Sequence, residues 1–224
     1  EDISMGDFTN IAKTSALLDD DLRAPIRGVF DKLTDELEIV AIVDASEDKS
    51  RELLSLLYDV ETLGAHVHVR ACEPGECPQY EADFDREGRT PAMGLYKDGA
   101  YTGVAYYGVP GGKEMNSFIL GCYNVAGPGQ PIDRWIAKKL TKLQQKADLQ
   151  IYVSLACHHC AATVISAQHL AACSPRLTAT MIDANLYPDL IKKYQIERVP
   201  MVVVNGERTL LGEKSMEELA AVLE

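Results

Sequence analysis

The chain has 224 residues, 46% of them hydrophobic and 25% charged, and a net charge of −12. This length and apolar fraction exclude disorder and allow one large core or two small ones, while the acidic balance argues against a nucleic-acid partner, which needs a basic footprint. No apolar run approaches a membrane span and no basic-then-apolar leader opens the chain, so no membrane partner and a cytoplasmic location are expected.

In chain order, residues 20–34 read as a helix that Pro25 is expected to kink or delay. Residues 36–45 form an apolar strand, 48–60 a helix, 65–71 a second strand and 91–96 a third. Lys97-Asp98-Gly99 turns the chain so that 101–107 pairs back, and 111–125 is a closing helix. AGPGQP (126–131) is a short joint. A helix over 131–146 leads to a strand at 148–156, a helix at 158–172 and a strand at 177–184. A short helix at 187–195 carries Pro188 in its first turn. The strand 201–205 turns at Asn205-Gly206 into its partner 208–212. Ser215, with Glu218 three residues on, caps the final helix.

The second series repeats the first. Thr90-Pro91 and Val199-Pro200 are 109 residues apart, Gly99 and Gly206 107, and the leading helices 111. Six elements in one order at nearly constant offset indicate a duplicated α/β unit, with mixed sheets covered by helices and the two copies packed rigidly through the short joint. The expected division is 1–126 and 127–224. The acidity lies entirely in the first part, which holds 24 Asp/Glu against 11 Lys/Arg, whereas the second holds 10 against 11. A solvated face explains this; so does a surface that steers a basic partner.

The chemistry concentrates in CHHC (157–160), between a strand and a helix. At the start of a helix, unpaired N–H groups and the dipole favour a thiolate. Cys157 is expected there as the exposed nucleophile, with Cys160 one turn below to resolve the mixed disulfide. His158 and His159 add cationic character, or are simply exposed helix-start residues. A zinc site would need His169 or Cys173, but along one helix these lie about 13 and 20 Å from Cys160, so no metal is expected. Pro200, just before a strand, is expected to be cis, leaving the backbone of Val199 free to pair with a peptide partner.

YVSLACHHC, MIDAN, ERVPMVVVNGE and MEELAAVL resemble a thioredoxin-fold domain. The tandem arrangement, with CxxC only in the second copy, resembles the N-terminal domain of the alkyl hydroperoxide reductase flavoprotein. The resemblance spans residues 18–224 and includes LLDDDLRAPIRGVFDKLTDELEIVAIVD and GVPGGKEMNSFILGCYNVAG, leaving a 17-residue N-terminal extension. It implies a thiol–disulfide oxidoreductase. Such a relay takes electrons from a flavoprotein disulfide reductase module, fused or separate, and passes them to a peroxiredoxin disulfide through Cys157 and Cys160, with Pro200 as the cis proline. It also implies that Glu114, opening the last helix of the first copy, serves as a proton acceptor, although a first-turn carboxylate facing the helix dipole fits the same position. No G-x-G-x-x-G follows a strand, so no cofactor is expected on this chain, and FAD and NAD(P)H are expected in the reductase module. The alternatives are a general, glutaredoxin-like protein disulfide oxidoreductase or isomerase, and a partner-docking module with an incidental dithiol. In the first copy, Ser46-Glu-Asp-Lys49 stands where CxxC would lie. Cys72 and Cys77 sit in a Pro/Gly loop and are expected as free thiols, a local disulfide being the other possibility. Cys122 and Cys173 are expected on buried helix faces.

Overall fold

The structure is a computed structural model that describes residues 7–224; the first six residues of the expected N-terminal extension lie outside the described residues. The first repeat contains α1 (Asp20–Phe30), β1 (Leu37–Ile42), α2 (Asp48–Glu61), β2 (Val67–Cys72), α3 (Pro78–Phe84), β3 (Ala92–Lys97), β4 (Ala100–Tyr107), a 3-10 turn (Gly112–Glu114) and α4 (Met115–Ala126). The second contains α5 (Arg134–Lys142), β5 (Ala147–Val153), α6 (Cys160–Ala172), β6 (Leu177–Asp183), α7 (Pro188–Lys193), β7 (Met201–Val204), β8 (Arg208–Leu211) and α8 (Met216–Ala221). Among the described residues no helix is long and apolar enough to cross a membrane.

Local chemistry sets many of these boundaries. The Asp19 side chain accepts from the Leu22 N–H and starts α1 at Asp20, so Pro25 lies inside the helix and does not delay it. Ser215 and Glu218 form a reciprocal capping box on α8. The hairpins β3–β4 and β7–β8 turn on Asp98-Gly99 and Asn205-Gly206, all four residues at positive φ, as the twist of a tight hairpin demands. One helix is not visible in the sequence pattern: α3 follows the cysteine loop with Pro78 at its first turn, as Pro188 opens α7. Its seven residues carry too little periodicity to reveal it.

The expected mixed sheets are joined into one eight-stranded sheet, ordered β2-β1-β3-β4-β6-β5-β7-β8. The join is a parallel pairing of β4 with β6, Val104 opposite Ala179 through Tyr107 opposite Ile182. Gly103 makes this approach possible. It has φ +82°, and a Cβ there would lie 2.2 Å from the Leu177 carbonyl oxygen. Over the seam, buried Gln168 on α6 accepts from the Tyr106 hydroxyl at 2.8 Å and donates to the Ala105 carbonyl at 3.2 Å. The α4 and α6 helices pack together on the same side, and the largest apolar cluster runs through both repeats without a break. A second seam contact lies at the surface, where Arg89 pairs with Asp189 at 2.8 Å.

Substituting Gly103→Ala is expected to cost about 1–3 kcal/mol for backbone conformation alone, with the carbonyl clash added to it. Urea unfolding of the variant against the parent reads the loss; an unchanged midpoint would mean that the seam tolerates a side chain.

Candidate functional site

The site begins where β5 ends. After Val153 the chain turns, with the Cys157 N–H donating to the Ser154 carbonyl at 2.9 Å, and enters α6 at Cys160. The helix therefore starts two residues later than the sequence pattern indicates. Cys157, His158 and His159 occupy the turn that leads into it. Cys157 is half-buried and Cys160 fully buried. They form a disulfide with Cα atoms 5.6 Å apart, within the ordinary range for such a bridge. Both histidines are exposed, and His159 Nδ1 lies 2.9 Å from Glu213 Oε2.

The β5–β7 register, Tyr152 opposite Met201, carries Pro200 to the position facing Val153. Pro200 is thus at the end of the sheet from which the CHHC turn leaves. The Val199–Pro200 bond is cis, as is Thr90–Pro91 in the first repeat. The Pro200 carbonyl accepts from the Gly212 N–H at 2.9 Å, and half-buried Val199 packs on the core.

The first repeat reaches this turn through its 3-10 segment. The Lys113 N–H donates to the Leu155 carbonyl at 3.0 Å, two residues before Cys157. A Cβ on Gly112, at φ +55°, would lie 2.8 Å from that same oxygen. Glu114 follows, fully buried. Its Oε2 accepts from the Ser117 hydroxyl at 2.5 Å, and its Oε1 has no hydrogen-bond partner among the described residues. Burial is the main reason that its carboxyl is pushed up to about 7; the Ser117 bond pulls it down and the Asp183 charge adds to the rise. A buried carboxyl poised near neutrality can give or take a proton. The sequence offers no direct signal for its burial, because the backbone that the 3-10 segment meets, at Leu155, lies about 40 residues further along the chain.

The equivalent turn in the first repeat is set by its hydrogen bonds. The Glu47 N–H donates to the Asp44 carbonyl just as that of Cys157 donates to Ser154, an offset of 110. The residues standing in for the cysteines are therefore Glu47 and Ser50, one residue later than the sequence offset places them. Ser50 is fully buried, like Cys160, and its hydroxyl donates to Glu47 Oε2 at 2.9 Å. A hydrogen bond replaces the disulfide.

Two cysteine expectations are corrected. Cys72 and Cys77 form a disulfide, Cα–Cα 6.1 Å, because Gly75 at φ +87° reverses the loop between them. Cys173 is exposed at the C-terminal cap of α6, beyond the helix's buried face. Cys122 is buried, and burial pushes its thiol well up. Buried His169 is engaged with the Gln130 backbone in the joint. Among the described residues no group of three or more His, Cys, Asp or Glu could hold a metal ion.

Two repeats fused through one sheet, with a CxxC disulfide at the strand–helix junction of the second, define a tandem thioredoxin-fold protein. A thioredoxin domain family matches residues 147–224. The solved alkylhydroperoxide reductase AhpF of Enterococcus faecalis is 33% identical with a TM-score of 0.88, covering 93% of this chain and 100% of that one. The chain belongs to the family of the AhpF N-terminal domain. The corresponding alkyl hydroperoxide reductase protein of Pseudomonas aeruginosa is 28% identical over 93% of this chain and 37% of its own length, so this chain spans little more than a third of that curated relative. A protein disulfide oxidoreductase from Aeropyrum pernix shares the fold at a TM-score of 0.81 and 16% identity, covering 92% of this chain and 91% of that one.

The Glu114 carboxyl fixes the sign of a pH effect. Its pKa in the fold is raised to about 7 from 4.5, so between those values the native state holds a proton that the unfolded chain has lost. Stability from this group is present below pH 4.5 and lost as pH rises through 7. Glu114→Gln, compared with the parent by denaturant unfolding at pH 5 and pH 8, is expected to lessen that decline by up to about 3 kcal/mol. Parallel declines would place Glu114 in contact with water.

Proposed function

We propose that this chain is the dithiol relay of a peroxide-reducing flavoprotein system. A disulfide reductase module carrying FAD and NAD(P)H, fused or separate, reduces Cys157–Cys160, and the dithiol then reduces the disulfide of a peroxiredoxin. The single observation that carries this reading is the CHHC disulfide, one sulfur half-buried and one fully buried, at the strand–helix junction of a family member. This chain has no glycine-rich dinucleotide loop after a strand, so no step on it runs through a flavin or nicotinamide. A cytoplasmic location, where thiols are kept reduced, suits the role.

The proposed exchange balances as follows. The Cys157 thiolate attacks one sulfur of the partner disulfide, forming a mixed disulfide and releasing a partner thiolate. Cys160 loses its proton, attacks Cys157 Sγ, closes the intramolecular disulfide and releases the second partner thiolate. Two electrons pass to the partner, whose thiolates take up two protons. Glu114 is assigned to receive the Cys160 proton; its burial, its unpaired oxygen and its near-neutral carboxyl support that role. Val199, beside cis Pro200, is assigned to pair with the partner's backbone. His158 and His159 are assigned to favour the Cys157 thiolate.

The experiment is reduction of a peroxiredoxin disulfide by the pre-reduced chain. Cys157→Ser is expected to lower the rate to that of buffer, with the fold intact by circular dichroism. Cys160→Ser is expected to accumulate a mixed disulfide on Cys157. Turnover by Cys157→Ser would overturn the reading. The general oxidoreductase reading draws on the histidine-rich CxxC interior; a reduction potential near about −180 mV, as in disulfide isomerases, rather than near about −270 mV, as in thioredoxin, would favour it.

Glu114→Gln is expected to flatten the pH dependence of the resolving step around pH 7 while leaving attack by Cys157 unchanged. Single-turnover rates from pH 5.5 to 8.5 measure this, and an unchanged profile would remove Glu114 from the proton path.

A further inference from the structure

The Cys72–Cys77 disulfide lies outside the site described above. Cys72 ends β2 and Cys77 directly precedes α3. Both are buried, at 1% and 4% exposure. Backbone hydrogen bonds again give the equivalent positions in the second repeat. Tyr80 and Glu81 donate to the Cys77 carbonyl as Leu190 and Ile191 donate to that of Tyr187, an offset of 110. The residues matching Cys72 and Cys77 are therefore Ile182 and Tyr187, which belong to one apolar cluster. A covalent bond stands where the other repeat uses side-chain packing.

That bond lies at the start of the segment that supplies the surface contacts between the repeats. Phe84, at the end of α3, packs on Tyr96 and Tyr101, and its carbonyl accepts from the Tyr107 hydroxyl at 2.8 Å. Buried Asp85 accepts from the Arg89 N–H at 2.7 Å. The Arg89 guanidinium crosses to Asp189 and lies 5.3 Å from the Tyr187 ring centroid. The Tyr187 hydroxyl donates to the Pro91 carbonyl at 3.3 Å. Residues 73–91 thus run from the disulfide to the surface seam.

Access separates the two disulfides. Cys157 is half-buried on a turn, whereas an attack on Cys72 or Cys77 requires the start of α3 to open first. We propose that Cys72–Cys77 is a second, slow redox site, reached by small dithiols and closed to protein disulfides, whose oxidation state sets how firmly residues 73–91 are held. In its reduction, one thiolate of the small dithiol attacks a sulfur of the bridge, forms a mixed disulfide, breaks the Cys72–Cys77 bond and releases the other cysteine as a thiolate. The second thiolate closes the reductant into its own disulfide. Two electrons and two protons pass to Cys72 and Cys77, and a small disulfide reverses the reaction.

The test uses dithiothreitol on the whole chain, with alkylation at timed intervals, peptide mass spectrometry, and amide hydrogen exchange before and after reduction. Cys72–Cys77 is expected to open about a hundredfold more slowly than Cys157–Cys160, as the need for local unfolding dictates. Its reduction is expected to raise exchange in residues 73–91 by about tenfold and to leave β1 and α4 unchanged. Cys72→Ala/Cys77→Ala should show the same fast exchange without reductant, and dithiothreitol should reduce its Cys157–Cys160 bridge at the parent rate. Should that variant fail to fold, the reduced parent still supplies the readout. Equal reduction rates for the two bridges, or exchange in 73–91 that ignores the oxidation state, would overturn the proposal. No readout needs a peroxiredoxin, so the result stands apart from the relay assignment.

Discussion

The parallel seam between β4 and β6 determines where everything else in the molecule lies. It turns two small sheets into one, and it does so at a place where only glycine fits, Gly103 against the Leu177 carbonyl. Once the seam is set, α4 must lie beside α6, and the turn that opens α4 must rest on the backbone just before CHHC. A buried carboxyl from one repeat is thereby brought to the thiol turn of the other. Neither repeat alone holds Glu114 in that position. The cross-seam bonds of Gln168 and the ion pair of Arg89 secure the arrangement at the interior and at the surface.

Duplication explains both what the repeats share and where they differ. Each carries a cis proline facing the end of its first strand, and each makes the same turn beyond that strand. In the second repeat the turn closes on Cys157–Cys160; in the first it closes on the Ser50–Glu47 hydrogen bond. The first repeat makes the same turn with Glu47 and Ser50 in place of the two cysteines, and it carries the chain's acidity. It also has a disulfide where its sister has an apolar contact. Covalent and non-covalent links have exchanged places between the two copies.

Much of this was legible in the sequence because the signals are local. Alternating strands, Asp-Gly and Asn-Gly turns, the Ser215–Glu218 cap and CHHC between a strand and a helix all act within a few residues. The offset between repeats exposed the duplication without any contact information. What could not be read depends on distant partners or short segments. The merging of the sheets rests on pairing between residues about 75 apart, such as Val104 and Ala179. The burial of Glu114 depends on the same seam. The α3 helix is too short to show a period, and the Cys72–Cys77 bridge depends on a glycine reversal. The one-residue misplacement of the Glu47–Ser50 turn arose because helix periodicity locates a helix better than it locates its first residue.

The most direct measurement is a thiol balance over a single turnover. The pre-reduced protein, mixed with one equivalent of a peroxiredoxin disulfide and quenched by alkylation, is resolved peptide by peptide. Two thiols are expected to be lost for each partner disulfide reduced, both from the peptide bearing Cys157 and Cys160, now joined. Reduction of the partner with Cys157 and Cys160 still alkylated, or with the lost thiols found at Cys72 and Cys77, would contradict it.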